Sequence, residues 1–184
     1  MFPHIETINQ IFSLGIIGIQ VLILLIAVNI IFFRKAHNPI LLFFKRYTFV
    51  FGFLIALGAV AVSLFYSEIV GYPACELCWI QRIFLYPQLI LFSMELYKKE
   101  RAIVDYSIVL AILGSIVSIY HVLIERGMPS NLPCSAIHIS TQVSCAVRYI
   151  FEFGYITIPV MALTLSLFII AILLNYKYMS KVSI

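Results

Sequence analysis

Four cysteines, Cys75, Cys78, Cys134 and Cys145, are the residues of this chain whose type and spacing best suit chemistry. Four cysteines allow three pairings, and spacing favours Cys75 with Cys78 and Cys134 with Cys145. A Cys-x-x-Cys pair is a poor structural staple because it closes almost no loop. It is a good exchange site. At a helix N-terminus the dipole and the free backbone N–H groups stabilise a thiolate, which is the nucleophile of thiol–disulfide exchange. Pro73, just ahead of the motif, disfavours helix for Tyr72 and suits a loop that turns into a helix. Arg82 follows Cys78 by four residues, so both project from one helix face. A guanidinium one turn from a thiolate can stabilise it, or an anion formed on a bound acceptor.

The elements that must position these groups are membrane spans. Of the 184 residues, 63% are hydrophobic and 11% charged. Soluble domains are roughly a quarter charged and about half apolar, so this composition belongs in lipid. A span needs about 20 mostly apolar residues, and five runs qualify: Ile11 to Phe33, Tyr47 to Tyr66, Trp79 to Tyr97, Ile103 to Leu123 and Tyr155 to Tyr176. The third contains Gln81, Arg82 and Pro87, and the fourth has Asp105 near one end. A charge inside a span is expensive and marks function. The chain has no P-loop, no dinucleotide fingerprint and no helical His-x-x-x-His metal pair.

Basic residues give the orientation. Arg34, Lys35, Lys45 and Arg46 lie between spans one and two, Lys98, Lys99 and Arg101 between three and four, and Lys177 and Lys181 after five. All nine fall on one side if the spans alternate; the other side holds only Arg126 and Arg148. The positive-inside rule makes the nine-residue side cytoplasmic, with the N-terminus outside and the C-terminus inside. The first run has no basic region before it and no small-residue cleavage pattern, so it reads as a retained span rather than a signal peptide. All four cysteines then lie on the outer face, where disulfides persist. His121 sits near the outer end of span four, at about the depth of Arg82.

Each feature also has a purely structural reading. The Cys75/Cys78 pair could be buried, inert thiols, and Cys134/Cys145 a loop staple. Arg82 could snorkel to the headgroups. His121 could be a satisfied interface histidine, and Trp79 and Tyr86 are read as interfacial or packing residues. Four thiols could instead hold a structural Zn²⁺. Residues Cys145 to Phe153 mix apolar positions with Arg148 and Glu152. They form either a short interfacial helix or a simple lead-in to the last span. The combination of two cysteine pairs on one face with an intramembrane arginine near one of them favours a thiol–disulfide relay.

The segment Pro73-Ala74-Cys75-Glu76-Leu77-Cys78-Trp79-Ile80-Gln81-Arg82-Ile83-Phe84-Leu85-Tyr86-Pro87 closely resembles the signature of the disulfide bond formation protein B family, DsbB with its BdbC relatives. Ser118-Ile119-Tyr120-His121 resembles the family's third core helix, and Phe153-Gly154-Tyr155-Ile156-Thr157-Ile158-Pro159 the entry to its last. The resemblance covers roughly Tyr47 to Tyr176. It implies an all-α membrane protein: a four-helix transmembrane bundle of DsbB type over residues 47–184, preceded by an extra N-terminal transmembrane helix and basic cytoplasmic loop over 1–46. It also implies a bacterial inner-membrane enzyme that reoxidises an extracytoplasmic, thioredoxin-like (DsbA-like) dithiol oxidase. The electrons would pass to a quinone, ubiquinone or menaquinone.

In that scheme Cys134 forms the mixed disulfide with the partner, and Cys145 resolves it and exchanges with Cys75. Cys78 is the thiolate that donates to quinone, Arg82 stabilises it, and His121 lies beside the quinone ring. The first span is extra to the family's four, and the loop pair is close-spaced as in BdbC-like members. A vitamin K epoxide reductase-like enzyme is the nearest rival, since those proteins also pair a helix-borne Cys-x-x-Cys with loop cysteines.

The orientation is directly testable. In a cysteine-free background, Ser130→Cys should react with an impermeant maleimide in intact cells, and Ala36→Cys only after lysis. The reverse pattern would invert the topology.

Overall fold

The structure, a computed structural model, describes residues 5–32, 39–98, 102–128 and 144–182. Arg34, Lys35, Lys99, Arg101 and Cys134 lie outside the described residues. The described residues form five helices long and apolar enough to cross a membrane: α1 (Ile5–Phe32), α2 (Pro39–Leu64), α3 (Glu76–Lys98), α4 (Ile103–Glu125) and α5 (Ile158–Val182). Helices meet the demand of lipid that each backbone polar group be satisfied within its own segment.

Most helices overrun the apolar stretches that predict them. The apolar run measures only the hydrocarbon depth, whereas hydrogen bonding continues into the polar flanks. Thus α2 begins at Pro39, whose fixed φ and missing N–H suit a first turn. Its C-terminal end passes into a π-helical turn, Phe65–Ile69, closed by Val70 N–H donating to Phe65 O at 3.0 Å. The last helix departs the other way, starting at Ile158 rather than Tyr155. Phe153 (φ 51°) and Gly154 (φ 78°) turn the chain sharply, and paired hydrogen bonds between Glu152 and Ile156 close the turn. Residues 145–153 therefore form turns and no interfacial helix, which leaves the lead-in reading of that stretch.

Helices α2, α3, α4 and α5 close a ring in which each packs on two neighbours, with Phe92, Phe168, Ile169, Ile172 and Leu173 at its centre. Helix α1 lies outside this ring. It packs chiefly on α5 and touches α2 only sparsely. Lipid offers no hydrophobic drive between helices, so close packing and interhelical hydrogen bonds carry the assembly, the latter at about 0.6 kcal/mol each. Gln81 Nε2 donates to Ser118 Oγ (3.1 Å), Gln88 Nε2 to Ser107 O (2.9 Å) and Asn175 Nδ2 to Leu41 O (3.1 Å). Helix α1 is tied on by Gln20 Nε2 donating to Thr164 Oγ1 (3.1 Å), and Tyr155 OH donates to Gln20 Oε1 (2.7 Å).

Lys45 and Lys177 lie at one end of the bundle. Lys45 Nζ donates to Met179 O (3.1 Å), and Lys177 pairs with Asp105 at 2.6 Å. Cys75, Cys78 and Cys145 lie at the opposite end of the bundle, with His121 and Arg82.

Among the glycines the tightest interhelical approach is at Gly52 of α2, where an added Cβ would lie 2.5 Å from the buried Phe92 ring of α3. Gly52→Ala should therefore destabilise the bundle by about 1–3 kcal/mol and lower its Tm in detergent by several degrees. Gly18→Ala is the control, since a Cβ there meets nothing within 4 Å. Equal Tm values for the two variants would refute this account of the α2–α3 contact.

Candidate active site

Cys75 stands immediately ahead of α3, and its carbonyl accepts the hydrogen bond of Trp79 N–H at 3.2 Å. This places both sulfurs of the motif at the helix mouth, as the spacing and Pro73 predict. Cys75 and Cys78 are free, with their Sγ atoms 3.0 Å apart, and Cys78 N–H points to Cys75 Sγ at 3.4 Å. The hydrogen bond with Cys78, reinforced by burial, pushes the Cys75 thiol up from its ordinary range despite the opposing effect of His121. A Cys75 that keeps its proton donates it to Cys78 Sγ, and Cys78 is then the sulfur able to carry charge.

Cys145 is disulfide-bonded, and since Cys75 and Cys78 are both free, neither is its partner. Cys134 lies outside the described residues, so the loop pairing predicted from spacing is not described. Cys145 is 2% exposed and packs with Cys75, Leu77 and Ile124. Cys75 Sγ, Cys145 Sγ and a ring nitrogen of His121 all lie within 4.8 Å of one another. Three such donors could surround a metal, but a sulfur held in a disulfide is not the thiolate that a metal requires.

Two groups of α4, one turn apart, hold the Cys145 segment in place. His121 Nε2 donates to Cys145 O at 3.2 Å and lies 3.8 Å from Cys75 Sγ. One turn on, Arg148 Nη2 donates to Glu125 O, and the same guanidinium sits over the Phe151 ring at 5.4 Å. His121 thus contacts Cys75 and Cys145 at once. Its Nδ1 is buried and has no hydrogen-bond partner among the described residues.

Arg82 is not a snorkelling residue. Its Nε donates to Ser63 Oγ (2.9 Å), its Nη2 to Ser63 O (3.2 Å), and the guanidinium lies over the Trp79 ring at 4.8 Å. Tyr86 OH donates to the same Ser63 Oγ at 3.3 Å. Nη1 makes no hydrogen bond to the described residues, which leaves donors for a bound group. Arg82 and Tyr86 line a mostly apolar cavity of about 490 Å³ together with Cys75, Cys78, His121 and Glu125. That volume falls within the roughly 300–1,000 Å³ of small-molecule sites.

The cavity therefore brings together Cys75, Cys78, Cys145, Arg82 and His121, all singled out from the sequence. Sequence reasoning missed Ser63, a lone serine in an apolar run that nothing local marks. It also missed Glu125, whose i, i+4 spacing from His121 was legible. The outer wall is a stack of tyrosines that sequence reasoning did not single out. Tyr72 lies between Tyr66 (centroids 5.8 Å apart, interplanar angle 3°) and Tyr149 (4.8 Å, 21°).

Comparison with known proteins agrees with this arrangement. The sequence model of the family "Disulfide bond formation protein DsbB" matches residues 45–176. The "Probable disulfide formation protein C 2" of Bacillus anthracis is 32% identical over 129 residues, 70% of this chain and 89% of that protein. The "Disulfide bond formation protein C" of Bacillus subtilis is 36% identical over 119 residues, 64% of this chain and 83% of that one. A "Probable disulfide formation protein" of Coxiella burnetii is 35% identical over 123 residues, 67% of this chain and 82% of that one. No solved structure matches the chain. With the matched region spanning the ring of α2 to α5 and every described cysteine, this chain belongs to the DsbB family of disulfide bond formation proteins.

Proposed function

We propose that this membrane protein is a thiol:disulfide oxidoreductase that reoxidises a thioredoxin-like dithiol oxidase outside the cytoplasm and passes the electrons to a membrane quinone. The setting is the bacterial cytoplasmic membrane, with the cysteines on its outer side. The observation that carries the reading is the position of Cys75 Sγ, 3.0 Å from Cys78 Sγ and within 4.8 Å of Cys145 Sγ. A sulfur so placed can exchange with either neighbour after a small movement.

The sulfur steps balance as follows. A partner thiolate attacks Cys134 in the loop disulfide and frees Cys145 as a thiolate. Cys145 attacks Cys75 in the oxidised Cys75–Cys78 pair and releases Cys78. The partner's second thiol displaces Cys134 and closes the partner's own disulfide. Cys134 then attacks Cys145, which restores the loop disulfide and leaves Cys75 and Cys78 both reduced. The partner has lost two electrons and two protons, and the Cys75/Cys78 pair has gained them.

The cavity residues fit a planar, lipid-soluble acceptor: apolar walls, open donors on Arg82 and an unpartnered buried His121 Nδ1. A bound quinone supplies the acceptor for the two electrons and two protons. Cys78, one helical turn from Arg82, faces it, and the guanidinium stabilises negative charge at that point. His121 lies 3.8 Å from Cys75 Sγ with its Nε2–H given to the Cys145 carbonyl, so Nδ1 is the ring nitrogen left to accept a proton.

With a reduced thioredoxin-like partner and a soluble quinone, the purified protein should consume thiols catalytically, and Cys78→Ser should reduce that rate to background. An unchanged rate in Cys78→Ser would refute the scheme. Arg82→Ala should raise the KM for quinone about tenfold, a loss of about 1.4 kcal/mol. Thiol exchange between partner and protein should persist in a single turnover. If Arg82→Ala instead abolished exchange and spared the KM, the arginine would belong to the thiol side.

A further inference from the structure

Helix α1 has no place in the reading so far. The family match begins at residue 45, so α1 lies outside it. Yet α1 forms one wall of the cavity that holds the redox sulfurs, through Ile11, Phe12, Gly15, Ile16 and Ile19. The facing wall is α2, with Leu54, Ile55, Gly58, Ala59 and Val62, and α5 closes the cavity between them with Met161, Ala162 and Leu165. The cavity thus has two parts. One end carries Cys78, Arg82 and His121, and the other is an apolar crevice between α1 and α2. Along α2 it extends from Ser63, which holds Arg82, to Leu54, a distance of about 14 Å at 1.5 Å per residue. A single quinone ring beside Cys78 leaves this length unfilled.

Two glycines keep the crevice open. Gly15 and Gly58 both line it, and a Cβ added at either meets nothing within 4 Å. Both are exposed at the protein surface, so in a bilayer the crevice opens sideways to lipid. The spacing of its walls is held from both sides. Tyr66 OH donates to Asn9 Oδ1 at 2.8 Å near the outer end, and the Gln20–Thr164 hydrogen bond of 3.1 Å ties α1 to α5 at the deeper end. The head of the same cavity contains the buried His121, 3% exposed, with its Nδ1 unpartnered.

We propose that the α1–α2 crevice is the binding site for the isoprenoid tail of the quinone, entered from the side through lipid, and that α1 is the element that makes the protein select tailed acceptors. The proposal rests on the quinone reading above and deepens it. The occupant is identified by continuity: one molecule with a polar ring and a long apolar tail fills both ends of a single cavity. A phospholipid chain would fill the crevice but place its charged headgroup where the redox sulfurs need a ring. Burying each methylene of a tail is favourable, so affinity should grow with tail length until the crevice is full.

The test compares one ring, as a benzoquinone, with and without an isoprenoid or decyl tail. With the full-length protein, the doubly substituted Gly15→Leu/Gly58→Leu variant should raise the KM for the tailed acceptor at least tenfold relative to that for the ring-only acceptor. An equal change in both, or in neither, overturns the tail site. A second measurement does not depend on the variant folding. A tailed quinone carrying a photoreactive group at the tail end should label residues 11–19 of α1 in the unsubstituted protein, and excess tailed quinone should suppress the labelling. Labelling elsewhere, or suppression by phospholipid as effective as by quinone, overturns the proposal. Failure of the unsubstituted protein to reduce either acceptor would instead overturn the quinone reading itself, and the tail site with it.

Discussion

The hydrogen bond from His121 to the Cys145 carbonyl is the contact on which the rest of the site depends. Cys145 belongs to a segment with no helix or strand of its own, and a free segment at a membrane surface would hold its sulfur nowhere in particular. The hydrogen bond places that segment on α4, which in turn packs on α3 and α5. Arg148 adds a second tie one turn further along the same helix. Because both ties fall on consecutive turns of one rigid element, they fix orientation as well as distance. The result is a buried Cys145 sulfur within 4.8 Å of Cys75.

A parallel arrangement holds Arg82. An arginine at lipid depth must find hydrogen-bond acceptors or reach the headgroups. Ser63 supplies two acceptors, its hydroxyl and its carbonyl, and Tyr86 buttresses the hydroxyl. Just beyond Ser63, α2 passes into the π-helical turn. Such turns commonly mark functional positions in long helices. Arg82 is thereby held beside Cys78 while retaining donors for a ligand.

The family match covers residues 45–176, most of the ring of α2 to α5, and leaves helix α1 outside it. That helix leaves the ring of four intact and packs against it from outside. Its polar ties are few and sit at the edges of the cavity, while its glycine faces the opening. A helix used only as an anchor would have no need to share a wall with the redox cavity.

The sequence alone determined the membrane class, the number of spans, the common end of the three described cysteines and the local geometry of Cys75, Cys78 and Arg82. Each of these depends on residues close in the chain: apolar stretches of about 20 residues, and side chains one helical turn apart. Only the tertiary structure decided that Ser63 receives Arg82, that His121 and Glu125 hold the Cys145 segment, and that Gly15 and Gly58 line one cavity. These pairs are 19 to 43 residues apart, and they depend on how each helix is rotated and how far it slides along its neighbours. In water an apolar stripe would reveal that rotation. In lipid the outward face is as apolar as the core, so hydropathy does not encode it. The sharp turn at Phe153 and Gly154 was hidden for a related reason, because the apolar residues on either side read as one continuous approach to the last span.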